Sequence, residues 1–289
     1  MSASTSSPAA DYVATDLHGH TFFSDAIASP EEYVRFRKER RLEVIALSDH
    51  DTFAGVPRAH AEAKRLGLTL VPAMETTSFI HFGEERAEQI HVLAYFPPAL
   101  LDDGGLERTF LFRRAQTLHE RWRAFHLAWL RSLPEDDQAA LGTDELEACS
   151  PLEFPGLQLL INRVVERRQA LYSAFHKHHV RFWTEDRELF GWSPEEMIEQ
   201  IRADGALDVV AHPVRVRDKE RMERVLEHAS GLEAYTSRHR ADIAERFRAY
   251  AEERGKHWTA SSDDHQQGVY LRPPVGTPRR TVERILAGA

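Results

Sequence analysis

Seven short apolar runs recur along this chain of 289 residues, and six of them present a histidine or an acid as a candidate donor, mostly at the carboxyl end. The runs are 12–17 (YVATDL), 43–48 (EVIALS), 68–74 (LTLVPAM), 89–95 (QIHVLAY), 207–211 (LDVVA), 231–235 (GLEAY) and 257–261 (HWTAS). Their length and spacing read as buried strands. The first leads into Asp16-Leu17-His18-Gly19-His20-Thr21, with Asp25 following. The second ends in Ser48-Asp49-His50-Asp51-Thr52 and the third in Met74-Glu75-Thr76. The fourth contains Ile90-His91-Val92, the fifth ends in Ala211-His212-Pro213, and the seventh in Ser262-Asp263-Asp264-His265. One such strand end is ordinary turn chemistry. Six in one chain are hard to explain by packing, because a histidine or carboxylate among apolar neighbours is unfavourable unless it finds a partner. His91 sits early in its run, so its placement is the loosest of the set.

Helical segments follow several of the runs. Ser29-Pro30-Glu31-Glu32 and Ser193-Pro194-Glu195-Glu196 are helix starts, with serine as N-cap and proline at the first position. Residues 56–66, 194–204, 217–228 and 240–254 carry helical spacing. The alternation reads as α/β with parallel strands, either an open doubly wound sheet or a distorted barrel. It breaks between about 100 and 192, where long helices are expected over 106–132 and about 156–179. We divide the chain into a flexible tail (1–11), a strand scaffold (12–99 and 193–289) and a helical insertion or cap (100–192). The aromatic residues of 106–132 form a buried stripe at helical spacing, with stacking on a substrate base as the alternative.

Composition narrows the functions. One cysteine, Cys149, excludes internal disulfides and cysteine-based zinc sites. Acidic residues outnumber basic ones, 46 to 37, so a broad nucleic-acid or anionic-membrane surface is not expected. No apolar run is long enough to span a membrane. The expected location is cytoplasmic, and no feature calls for a protein partner. Histidine is abundant, 16 residues. A mixed imidazole and carboxylate donor set suits Mn, Zn or Fe. Nine groups (His18, His20, Asp25, His50, Glu75, His91, His212, Asp263 and His265) are too many for one ion and fit two or three, with Glu75 as the natural bridge. Asp49 and Asp51 are expected to orient His50. His176-Lys177-His178-His179 reads as a solvated helix end. His60, His81, His119, His126, His228 and His257 read as surface or packing residues.

These motifs resemble the polymerase and histidinol phosphatase (PHP) family of metal-dependent phosphoesterases. The resemblance rests on D-L-H-G-H-T-x-x-S-D, S-D-H-D-T, H-V-L, A-H-P and S-D-x-H, and covers roughly 12–96 and 193–289. It implies a distorted seven-stranded β/α barrel with up to three metals. By motif, His18, His20, Glu75 and Asp263 would hold the first ion. Glu75, His91 and His212 would hold the second, and Asp25, His50 and His265 the third. The chain is most similar to the branch acting on nucleotides and RNA ends. An Arg-Pro-His segment of that branch is reduced here to Ile161-Asn162-Arg163-Val164.

The reading that follows is hydrolysis of phosphate monoesters by metal-bound hydroxide attack on phosphorus. The substrate is expected to be a small phosphorylated molecule, a nucleotide such as a nucleoside 3′,5′-bisphosphate. Arg163 and Arg215 are candidate phosphate clamps. His239, in Tyr235-Thr236-Ser237-Arg238-His239, is a candidate acid for the leaving group and a substrate contact. The alternatives are a 5′-3′ exonuclease on short 5′-phosphorylated RNA, a phosphatase of another small metabolite, a metal-binding module without turnover, and a carbon–nitrogen or carboxyl hydrolase on a related metal barrel.

Overall fold

A computed structural model describes residues 11–268 and 275–288. The proposed tail, apart from Asp11, lies outside the described residues. The strands are β1 (Tyr12–Val13), β2 (Thr15–Asp16), β3 (Val44–Leu47), β4 (Thr69–Ile80), β5 (Glu88–Tyr95), β6 (Leu207–Val210), β7 (Gly231–Tyr235), β8 (His257–Ala260) and β9 (Thr277–Pro278). The helices on the strand scaffold are α1 (Pro30–Glu39), α2 (Val56–Leu66), α9 (Pro194–Ala203), α10 (Lys219–His228), α11 (Ala241–Glu253) and α12 (Arg279–Ala287). Between β5 and α9 come α3 (Phe110–Arg131), α4 (Glu135–Leu141), α5 (Thr143–Ala148), α6 (Leu157–Arg168), α7 (Tyr172–Glu185) and α8 (Arg187–Phe190).

Seven strands form one sheet in the order β2-β3-β4-β5-β6-β7-β8. Its two edges meet just beyond the strands. A parallel bridge joins Gly19 to Asp264, and the backbone N–H groups of His20 and Asp263 donate to Asp264 and His18. The sheet is thus a nearly closed barrel. Expected parallel throughout, it has one reversed strand. β5 pairs antiparallel with both β4 and β6, while the other neighbours are parallel. The reversal follows from the length of β4, which runs on to Ile80 and turns back through a short loop containing Gly83 at φ 83°.

Side chains alternate across the barrel wall, as strand geometry requires. Val44, Ala46, Val71, Ala73, Leu93, Tyr95 and Val209 pack together in one layer. Ile45, Leu47, Leu70, Val92, Ala94, Val210 and Leu232 pack in a second layer with the helices. Glu75, His91 and Glu233 continue the inward series. Both serine-proline helix starts form capping boxes, Ser29 with Glu32 and Ser193 with Glu196. Helices α3–α8 share an apolar cluster of their own, including Leu118, Trp122, Phe154, Leu160, Phe175 and Phe182. The second long helix expected there is two, α6 and α7, separated by a short turn.

Candidate metal centre

The carboxyl ends of six parallel strands and the early part of β5 point to the same end of the barrel. Because β5 runs backwards, a residue near its start lies beside the exits of its neighbours. His91 therefore pairs with Thr77, two residues beyond Glu75, and its carbonyl accepts from Ala211 next to His212. All nine expected donors converge there. They fall into four overlapping groups: His20, Asp25, His50 and His265; His18, Glu75 and His212; His18, His20 and Asp263; and His50, Glu75 and His91. Glu75 lies at the middle, fully buried. One of its oxygens is 2.9 Å from both His91 Nδ1 and His212 Nε2, and the other is 2.9 Å from His18 Nε2. Asp25 Oδ2 is 3.1 Å from His265 Nε2 and 3.6 Å from His50 Nε2.

The donor set fits a cation. His18 and His20 point ring nitrogens at one another across 3.2 Å. His20 Nδ1 and His91 Nδ1 are buried with no hydrogen-bond partner, the latter close to Glu75 but not aligned for a bond. Such converging lone pairs on imidazoles and carboxylates, with no thiolate among them, match a divalent metal that accepts nitrogen and oxygen. The electrostatics agree. Burial disfavours the charges of Glu75 and Asp263, yet the surrounding histidines hold both carboxyls well below the usual range. Burial opposes a charge on His20 as well, but Asp25, Asp263 and Glu75 push it up to about 10. The site is a basin of buried carboxylates, and despite burial their charge pushes His18 and His20 above the ordinary imidazole value.

Buried polar contacts hold the loops in place. Asp16 accepts from the N–H and hydroxyl of Ser262, both at 2.8 Å, and pairs with the fully buried Arg37 at 2.7 Å. Arg37 lies 3.3 Å over the Tyr33 ring. Gly19 passes so close that a Cβ there would stand 2.5 Å from Arg37 Nη2. Asp49 does not orient His50 as expected. It accepts from the N–H and hydroxyl of Thr21 and the hydroxyl of Ser24, fixing the loop that carries His20 and Asp25. Asp51 has φ 50°, an uncommon conformation without glycine, and accepts from Thr77 N–H and Arg114.

Two contributors escaped the sequence reading. Glu233 is fully buried in β7, the one strand credited with no chemistry. Its Oε1 is 2.9 Å from His18 Nδ1 and accepts from Ser261, while Oε2 accepts from His212 N–H at 2.7 Å. A carboxylate between Leu232 and Ala234 in a buried strand was the available signal. Arg238 Nε lies 2.5 Å from Asp263 Oδ2 and lines the cavity over the basin.

That cavity encloses about 840 Å3 and includes Asp25, His50, Glu75, His91, His212, Asp263 and His265 in its lining. Arg215 lines it too, exposed and without an ion-pair partner among the described residues. Arg163 does not reach it. Its guanidinium turns to the Leu141 carbonyl and Glu145 within the helical segment, so the clamp role expected for it has no geometric basis. His239 is also displaced from the lining. Its Nδ1 bonds the Ala234 carbonyl and its ring packs on Phe247, while its Nε2 is buried without a hydrogen-bond partner, so no contact places it at the basin as the expected acid. The expected solvated histidine tract is corrected as well. His179 is buried, and His178 stacks on Phe125 at 4.0 Å.

The PHP domain family matches residues 16–157. The match spans just under half of the chain. The chain is 24% identical to a 3′,5′-nucleoside bisphosphate phosphatase of Chromobacterium violaceum, over 95% of its own length and 98% of the relative's. A segment of 65 residues is 42% identical to the 5′-3′ exoribonuclease Rnm of Salmonella typhimurium, and the match spans only 22% of each chain. Among solved structures, a metal-dependent phosphoesterase from Bifidobacterium adolescentis superposes with a TM-score of 0.60 at 21% identity, covering 94% of this chain and 95% of the other. That likeness bears on the fold, the distorted α/β barrel. No helix among the described residues is long and apolar enough to cross a membrane.

Proposed function

We propose that this chain is a metal-dependent phosphoesterase that hydrolyses phosphate monoesters of nucleotides, nucleoside 3′,5′-bisphosphates foremost. The observation that carries the reading is the convergence of nine imidazole and carboxylate donors on one buried basin that opens into the cavity. We assign His18, His20, Glu75 and Asp263 to one divalent ion, Glu75, His91 and His212 to a second, and Asp25, His50 and His265 to a third. Mn, Zn or Fe is the expected type. Bound there, such ions lower the pKa of water and neutralise charge on a phosphoryl group.

The chain's own side chains organise the rest. Glu233 holds His18 Nδ1, which leaves Nε2 facing Glu75. Arg238 holds Asp263 against the basin. Arg215 is left to meet a phosphate, and its fixed fork of donors suits two phosphate oxygens at once. The helix–strand walls exclude bulk water from the inner end, which strengthens each of these contacts.

A second reading, trimming of short 5′-phosphorylated RNA, draws on the resemblance to Rnm. The net charge of −9 favours the smaller substrate, since tracking a strand calls for a basic groove. The test is phosphate release by the Mn-loaded protein from nucleoside 3′,5′-bisphosphates, mononucleotides, histidinol phosphate and 5′-phosphorylated oligoribonucleotides. The expected result is fastest release from the bisphosphates. Release from none of these would overturn the assignment, and mononucleotide shortening of the oligomers as the fastest reaction would establish the second reading.

A further inference from the structure

The metal basin takes up only one end of the cavity. The rest is walled by α3, α6 and α7, and α7 is unusual for carrying two apolar stripes. Phe175, His179 and Phe182 recur at helical spacing and are buried, as one stripe of a packed helix should be. Val180, Trp183 and Thr184 lie on the neighbouring face and line the cavity, with His179 at its edge. Val180 is 41% exposed there although it is apolar. Core packing accounts for the first stripe and leaves the second without a partner.

The other walls match it. Leu118 and Trp122 face the cavity from α3, and Leu157 from the start of α6, where Gly156 lets the chain press against Ser24. Trp183 lies at 5.9 Å from Trp122 and 5.0 Å from Phe190. The indole N–H of Trp122 is taken by the Pro155 carbonyl. That of Trp183 has no hydrogen-bond partner among the described residues. No lysine, arginine, aspartate or glutamate of α3, α6 or α7 lines the cavity.

We propose that this arm is a binding subsite for a flat, uncharged aromatic group, a nucleobase, with Trp183 as the residue that selects it. The proposal rests on the phosphoesterase reading of the adjoining basin. A second phosphate would find no counter-charge on α3, α6 or α7, and an alkyl chain would leave the Trp183 N–H and the polar atoms of Gln158 and Thr184 unmatched. A base answers both demands, since its face packs on an indole while its edges offer hydrogen-bonding groups. A volume of about 840 Å3 is in the range that encloses one small organic molecule, here one nucleoside with its phosphates.

The experiment compares the Mn-loaded wild type with Trp183→Ala, Trp183→Phe and Val180→Glu, each checked for native circular dichroism. The readout is the ratio of kcat/KM for adenosine 3′,5′-bisphosphate to that for glycerol 3-phosphate. Base stacking on one aromatic side chain corresponds to a fall in this ratio of about 10- to 100-fold in Trp183→Ala, restored in part by Trp183→Phe. Val180→Glu, at an exposed position, lowers the ratio as well and serves where Trp183→Ala does not fold. An unchanged ratio in the folded variants overturns the subsite. A second arm needs no turnover: adenosine alone should quench tryptophan fluorescence of the wild type, and much less that of Trp183→Phe. Absence of quenching in the wild type counts against the subsite. If the wild type hydrolyses neither ester, the phosphoesterase reading fails by itself, and quenching still decides whether the arm holds a base.

Discussion

Glu233 shows how one side chain sets the chemistry of another. Its carboxylate receives His18 Nδ1 and thereby fixes which nitrogen faces the basin. Carboxylates behind metal-binding histidines tune both orientation and basicity. Glu233→Gln keeps the shape but removes the charge. It should weaken Mn binding by about 10- to 100-fold with the fold retained, as read by calorimetric titration of the metal-free protein. Equal affinities would reduce Glu233 to a filler of the barrel interior. His126 presents the opposite case. It is fully buried among aromatic rings, and neither ring nitrogen has a partner. Burial, helped by His178 and His179, pushes it well below its ordinary value. Burial likewise pushes His178 and His179 down to about 4. The folded chain thus keeps these groups neutral while the unfolded chain takes up protons near 6.5. Stability is full above that pH and declines as pH falls from about 6.5 towards 4. His126→Phe removes an unsatisfied polar group and one of the depressed titrations. It should raise stability at pH 7 by about 1–3 kcal/mol and flatten the fall in melting temperature between pH 6.5 and 4. Thermal melts across that range decide it, and a variant less stable than wild type at pH 5 would show that His126 has a partner after all.

At the scale of elements, α3 does more than roof the cavity. Arg114 donates to Asp51 Oδ1 at 2.7 Å and to the Leu189 carbonyl at 2.6 Å, and one turn on His119 Nε2 meets the Thr52 hydroxyl at 2.8 Å. Asp51 and Thr52 follow His50 directly, so a helix from the middle of the chain braces a loop of the basin. Arg114 and Asp51 are buried, and removing one partner of such a pair is destabilising by about 3–5 kcal/mol. Arg114→Met should therefore lower stability on that scale, and adding Asp51→Asn should recover part of the loss. Urea unfolding of the two single variants and the double variant gives the coupling, and a coupling of zero would mean that the two residues merely lie close together. This brace was not legible beforehand, because nothing in the local spacing of Arg114 or His119 points to a loop over sixty residues away. The strand ends were legible, since each donor stands beside an apolar run whose burial forces its neighbour into the barrel. His91 was read despite its position, and its place became intelligible only with the reversal of β5. That reversal depends on how far β4 continues past Glu75, through Thr76, Thr77 and Ser78, which are as buried as the run before them yet polar in sequence. Thr76 and Ser78 satisfy their hydroxyls on carbonyls of β5. Arg163 was misplaced for the same kind of reason. Helical spacing gave its element, but the partner that captures its guanidinium, Glu145, lies on another helix.

For the molecule as a whole, the carboxylates of the basin and the net charge of −9 act together. Glu75, Asp25, Asp263 and Glu233 are concentrated at one end of the barrel and, among the described residues, have only imidazoles and Arg238 in ion-pair contact to balance them. A divalent cation that binds the folded chain and not the unfolded one stabilises it by about 2.7 kcal/mol at a hundred times its dissociation constant. Chelation should lower the melting temperature by several degrees, and Mn should restore it together with phosphate release. His18→Ala should abolish release and most of the Mn-induced shift. A protein whose melting is indifferent to chelator would refute the metal centre. The same charge distribution separates the two substrate readings. A strand gripped through several phosphates exchanges that many counterions, so its kcat/KM would fall with salt at a slope of about −0.7 per phosphate contacted. A single nucleotide, held by the basin, Arg215 and an uncharged aromatic arm, engages few phosphates. Between about 50 and 200 mM salt, kcat/KM for a nucleoside bisphosphate should decline only shallowly. A kcat/KM for long oligoribonucleotides that exceeds the bisphosphate's at low salt and declines steeply would shift the assignment to RNA, because only a chain spread over many basic contacts responds to salt in that way.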